Sequence, residues 1–238
     1  MGKGIFITGT DTGVGKTWFT CGLAALLKNS GYRVGVMKPA ETGCVEKAGQ
    51  LFADDAWRLK SASGCVEPIE TICPYRLPEP LAPSIAAERA GVKIDIDRLL
   101  TVCGDICAKH DITLVEGAGG LMAPLVPSFT FADFARVAKL PIIVVAANKL
   151  GVVNHLLLTL EHASCKGLTT LGYVLNRVMS ESSIAADTNR EVLAGLTAAP
   201  CLGDLPYVSE TGAHNRETLD RFAKELDLGM IELVLRIQ

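Results

Sequence analysis

The chain has 238 residues, a formal net charge of -3 and 49% hydrophobic residues, enough apolar content for one large core. The slightly acidic balance gives no broad positive field for nucleic acid or an anionic membrane surface. The longest apolar runs, such as LPIIVVAA from Leu140, fall far short of the roughly 20 residues that span a bilayer.

From the N-terminus, MGKGIFITG passes directly into a strand pattern and leaves no room for a removable signal peptide, which points to a cytoplasmic protein. A glycine-rich turn follows, then a predicted helix over Trp18 to Asn29 that Gly31 stops. RVGVMK from Arg33 reads as a second strand and Asp54 to Ser61 as a helix. Cys73 to Ser84 carries four of the 11 prolines, so it is an extended excursion that either walls a pocket or serves as a connector. Helix over Asp95 to Lys109, strand ITLVEG from Ile112, helix over Phe131 to Ala138 and strand PIIVVAA from Pro141 come next. The series closes with a helix over Asn154 to Lys166, strand TLGYVLN from Thr170, a helix over Ile184 to Leu193 and an amphipathic helix over Glu217 to Leu226. Near-continuous apolar strands alternating with helices predict a single α/β domain over residues 1–238, with a doubly wound, mainly parallel sheet flanked by helices. The eight cysteines are irregularly spaced and read as reduced thiols; Cys103, Cys107 and His110 lack the second ligand pair of a metal site.

GTDTGVGKT, from Gly9 to Thr17, lies between the first strand and the first helix, where a phosphate-binding loop belongs. Gly13 and Gly15 allow backbone N–H groups to turn inward, and the helix start adds partial positive charge. Lys16 is placed to reach the β- and γ-phosphates and the Thr17 hydroxyl to bind magnesium. The loop is a variant, because the usual first glycine position holds Thr10 and Gly9 stands one residue earlier. Asp11 fits a turn that its side chain stabilises through local backbone bonding.

Lys38 ends the second strand, so its side chain projects from the carboxyl edge where open α/β sheets bind ligands. Glu116 ends another strand and is followed by GAGG, which permits close backbone approach to a ligand. Asp54 and Asp55 open a helix, one suited to capping it and the other to reaching a metal. Thr17, Asp55 and Glu116 thus form an oxygen donor set for Mg2+, facing two lysines across a nucleotide γ-phosphate.

TGTDTGVGKT, KPAETG, VEGAGG, PSFTFADFA and KLGVVNH occur in the order and at about the spacing of one family, and the chain resembles the dethiobiotin synthetases. That resemblance implies ATP-dependent ring closure of 7,8-diaminononanoate with carbon dioxide: a carbamate forms, ATP phosphorylates it, and the second amine closes the ureido ring. It implies phosphate contacts from Gly13, Val14, Gly15, Lys16, Thr17 and Trp18, with Gly117, Ala118 and Gly119 beside the ligand. Asn176 and Arg177 match the adenine-reading position, and Pro206, Tyr207 and Val208 the loop over the base. Lys38 corresponds to the active-site lysine beside the carbamate, and Thr42 stands where that family often has a serine that contacts substrate. The family works as a homodimer, so the helix start at Gly151, Val152, Val153 and Asn154 is expected to meet the substrate's carboxylate tail in the partner subunit's site. The segment after Gly212 lacks a close counterpart. The competing class is a partition or positioning ATPase, which usually carries a lysine near the loop start, where this chain has Asp11.

Overall fold

The computed structural model describes residues 3–181, 183–208, 222–226 and 229. Strand β1 (Lys3–Gly9) leads into helix α1 (Lys16–Asn29), and β2 (Val34–Met37) follows. Three short strands come next, β3 (Ala40–Thr42), β4 (Val45–Lys47) and β5 (Gln50–Phe52), then helices α2 (Asp54–Ser63) and α3 (Ile69–Ile72). The proline-rich stretch contributes β6 (Tyr75–Leu77) and then helix α4 (Pro83–Arg89), which starts on a proline. That placement suits Pro83, because a first-turn residue has no intrahelical N–H bond to lose.

Beyond them lie α5 (Ile96–Lys109), β7 (Ile112–Gly120), the hairpin β8 (Pro124–Val126) and β9 (Phe129–Thr130), and α6 (Phe131–Val137). The last elements in the series are β10 (Ile142–Ala147), α7 (Val152–Cys165), β11 (Thr170–Asn176), α8 (Ile184–Ala194) and β12 (Cys201–Leu205). Residues 217–221 of the helix expected at Glu217 to Leu226 lie outside the described residues. Of its remainder, Leu226 bonds back to Phe222 and bridges Gly203 of β12.

Six strands form one parallel sheet in the order β12-β11-β10-β1-β7-β2. Side chains alternate across β1: Ile5 and Ile7 enter the apolar layer beneath α1 and α2, while Phe6 enters the opposite layer with α5, α6 and α7. Both faces are therefore dry, and burial of a side chain of this size is worth about 1.5–3 kcal/mol. From β1 the chain first moves outward to β2, leaving a slot for β7, and later returns to the other side of β1 at β10. This change of direction opens a crevice at the carboxyl ends of the central strands, where such folds bind ligands.

Four local features differ from the sequence expectation. Helix α1 begins at Lys16, so Lys16 and Thr17 belong to its first turn. Strand β7 continues past Glu116 to Gly120, because its register shifts between Ile7 and Gly9 and brings Gly120 beside Gly9. Glu116 is thus inside the strand. Neither Asp54 nor Asp55 caps α2; the N-cap is Ala53, which has no capping side chain. Finally, α7 starts at Val152, not Asn154.

Candidate active site

The phosphate loop curls between β1 and α1 with Gly13 and Gly15 at φ 74° and 92°. At Gly15 a side chain is excluded twice, by that left-handed backbone and by the Asn176 amide, which fills the space of a Cβ. Asn176, at the end of β11, donates from Nδ2 to the Val14 carbonyl at 2.9 Å and so braces the loop from beneath. Its Oδ1 is buried without a hydrogen-bond partner among the described residues. Asp11 accepts from the Thr12 N–H at 2.7 Å, the turn-stabilising bond expected of it.

Lys16 folds into the curl and donates from Nζ to the Asp11 carbonyl at 2.9 Å. Burial, and then the neighbouring Lys38 charge, bring the Lys16 ammonium down to about 8. One turn of approach from the other side is made by Lys38, immediately after β2, whose side chain is only 4% exposed. Its Nζ donates to Glu116 Oε1 at 2.5 Å and to Asp55 Oδ2 at 2.7 Å. Burial alone lowers the Lys38 pKa, but the charges and hydrogen bonds of Glu116 and Asp55 carry it above the ordinary lysine range. For Asp55, burial acts upward, yet Lys38 holds the carboxyl below its usual value.

The Thr17 hydroxyl donates to the same Glu116 Oε1 at 2.8 Å. Glu116 is fully buried, and its second oxygen, Oε2, has no hydrogen-bond partner among the described residues. Its Oε1 is paired with Lys38, but an unfilled acceptor position on Oε2 in a dry interior is unfavourable without a further partner. Thr17, Asp55 and Glu116 together offer hard oxygen donors, which fit magnesium, with the remaining positions left to phosphate oxygens and water. Among the described residues there is no cluster of three or more His, Cys, Asp and Glu side chains with metal-binding geometry.

A cavity of about 830 Å³ opens over this cluster. Gly13, Gly15, Lys16, Thr17, Trp18, Lys38, Thr42, Asp55, Ala118, Gly119 and Val208 all border it. Glu116 does not itself border the cavity but is bonded to Thr17 and Lys38, which do, and the Gly117 carbonyl sits 3.5 Å from Lys38 Nζ. Val14 turns into the core. Arg177 pairs with Asp187 at 2.9 Å, its N–H bonds the Leu205 carbonyl, and Pro206 to Val208 continue from there, with Tyr207 40% exposed.

Gly151 to Asn154 do not border this cavity. They open α7, after β10 at the same carboxyl edge of the sheet, and Asn154 faces a separate groove. Their N–H groups are not all free, since that of Val152 is taken by the Lys149 carbonyl.

The proline-rich excursion walls the cavity through Pro80 to Pro83, the first of the two roles expected of it. Other contributors to the cavity escaped the sequence reading. Cys21 faces it because it stands four residues, one helical turn, after Thr17, a spacing visible in the sequence. Glu41 borders it from β3; burial pushes this carboxyl up to about 6, against the lowering effect of Lys38.

A family model described as "AAA domain" matches residues 3–215. An ATP-dependent dethiobiotin synthetase BioD from Anaeromyxobacter sp. (strain K) is 43% identical over 205 residues, covering 86% of this chain and 90% of the relative. A protein of the same name from Thermodesulfovibrio yellowstonii is 39% identical over 218 residues, covering 88% and 91%. Among solved structures, a putative plasmid partition protein from Borrelia burgdorferi B31, bound to AMPPNP, superposes with a TM-score of 0.61. It covers 100% of this chain and 99% of its own at 15% identity, a likeness of fold alone. These two relatives carry the same name, and at this identity and coverage the chain belongs to the family of ATP-dependent dethiobiotin synthetases.

Proposed function

We propose that this chain is a dethiobiotin synthase that uses ATP and Mg2+ to close the ureido ring of dethiobiotin on 7,8-diaminononanoate with carbon dioxide, releasing ADP and phosphate. The observation that carries the reading is the convergence of Lys16, Lys38, Thr17 and Asp55 on one cavity above the buried Glu116. Two ammonium groups a short distance apart suit a reaction that brings two anions, a carbamate and a γ-phosphate, into contact.

One substrate amine attacks carbon dioxide and loses a proton to give the carbamate. A carbamate oxygen then attacks the γ-phosphorus, ADP departs, and the second amine attacks the carbonyl carbon and expels phosphate. Lys38 acts in this sequence as a fixed positive charge, since its raised pKa keeps it protonated at neutral pH and unfit to serve as a base. Lys16, inside the loop, neutralises the leaving phosphates. Thr17, Asp55 and Glu116 hold magnesium, which when bound screens the charge between phosphate groups.

Gly13 to Trp18 and Gly117 to Gly119 cradle the phosphates, and the open Oδ1 of Asn176 reads the adenine amino group beside Arg177 and the cover formed by Pro206, Tyr207 and Val208. Thr42 contacts the substrate. The substrate's carboxylate tail meets Gly151 to Asn154 of a second copy, a homodimeric arrangement in keeping with these residues not bordering their own chain's cavity. The chain works as one α/β unit, and among the described residues no helix is long and apolar enough to cross a membrane.

The decisive experiment mixes purified protein with ATP, magnesium, bicarbonate and 7,8-diaminononanoate, with dethiobiotin and ADP as the expected products in equal amounts. ADP release that ignores the diamine but rises with DNA or lipid vesicles would instead place the chain with the positioning ATPases.

A further inference from the structure

Helix α2 presents Asp55 to the cavity, yet nothing local fixes where that helix begins. Its N-cap residue, Ala53, lies in extended geometry and offers no acceptor for the first-turn N–H groups. Those donors are met from elsewhere. The Asp55 N–H donates to Glu41 Oε1 at 2.9 Å, and the Ala56 N–H to Glu41 Oε2 at 3.0 Å. Glu41 is buried, with 6% of its surface exposed, and uses one carboxylate oxygen on each N–H. It belongs to β3, which starts two residues after Lys38.

From this we infer that Glu41 is a positioning residue for the metal site: its carboxylate clamps the start of α2 and thereby aims the Asp55 carboxylate. The two anchors close a short circuit. Lys38 bonds Asp55 through the side chain at 2.7 Å, and Glu41, three residues along the same strand-loop segment, bonds Asp55 through the backbone. Asp55 is thus held by its side chain and by its backbone, which sets the direction of its carboxylate as well as its place. Charge-assisted bonds to backbone N–H groups are stronger than neutral ones, and a helix N-terminus favours the negative charge further. The inference rests on the reading of Asp55 as a magnesium ligand.

Calorimetric titration with a non-hydrolysable ATP analogue, with and without Mg2+, tests both ideas separately. In the unmodified protein the metal tightens binding by some factor. Glu41→Ala is expected to cut that factor about ten- to a hundredfold, the usual effect of losing a residue that orients a metal ligand, while leaving metal-free affinity unchanged. Glu41→Gln keeps one acceptor oxygen for the two N–H groups and falls between. Amide hydrogen exchange without nucleotide reads the clamp directly: the Asp55 and Ala56 amides exchange at least about tenfold faster in Glu41→Ala. A metal factor preserved in Glu41→Ala overturns the inference, and so does equal weakening of binding with and without metal. If Asp55→Asn leaves the metal factor intact, the ligand reading of Asp55 fails instead, and unchanged amide exchange in Glu41→Ala would remove the clamp as well.

Discussion

Lys38 and Glu116 were each visible as residues at strand ends, but their bond was not, because 78 residues separate them and the strands that carry them become neighbours only in the sheet. Their burial makes the pair asymmetric: removing the lysine leaves a carboxylate of zero exposure with no cation. Lys38→Ala should therefore lose turnover and also about 3–5 kcal/mol of stability, measured by urea unfolding. The double variant Lys38→Met with Glu116→Gln removes both charges and should recover most of that stability without any turnover. A double variant as unstable as the single one would show that the stranded charge is not the cause. Glu41 stayed hidden for a related reason. An acid in a three-residue strand has no local partner to betray it, and its two N–H donors lie 14 and 15 residues away.

Helix starts show how local chemistry and tertiary contacts divide the work. At α6 the signal is wholly local: Thr130 accepts from the Asp133 N–H, and the Asp133 carboxylate accepts from the Thr130 N–H at 2.9 Å, forming a capping box. Loss of the Thr130 hydroxyl in Thr130→Ala should cost about 0.5–2 kcal/mol. Burial opposes ionisation of Asp133, but bonds from Thr130 and Lys166 hold its carboxyl down at about 2, below the ordinary 3.8. A depressed pKa stabilises the folded chain above the ordinary value, and the contribution fades as pH falls from about 4 through about 2. Asp133→Asn should thus be less stable at neutral pH and show a shallower loss of stability across that acid window in thermal melts; parallel curves would assign the bonds no energetic role. At α2, by contrast, two aspartates at the expected boundary suggested a local cap that the fold replaces with Glu41. Strands of three residues, such as β3 and β6, escaped detection because an alternating pattern needs more positions than they have.

For the molecule as a whole, alternation of apolar strands and helices was enough to predict the class of sheet, but not the order of its strands. Edge strand β12 was missed altogether, since CLGDL carries a glycine and an aspartate where an apolar run was sought. Nor does the architecture identify the chemistry: a partition protein shares it over the full length at 15% identity. The chemistry is written in the side chains of one crevice, above all Lys38 against Glu116 and Asp55. That crevice has an optical property of its own. The chain has two tryptophans. Trp18 borders the cavity on α1, with its ring edge-on to Phe222 at 5.8 Å; Trp57 lies two residues beyond Asp55 on α2, stacked on Phe52 at 6.0 Å. Light emitted by the unlabelled protein therefore comes from one ring on the cavity wall and one outside the cavity on the neighbouring helix. Trp57→Phe should leave a single emitter, Trp18, whose intensity shifts saturably as an ATP analogue is added, and a flat titration would mean that the nucleotide does not touch that wall.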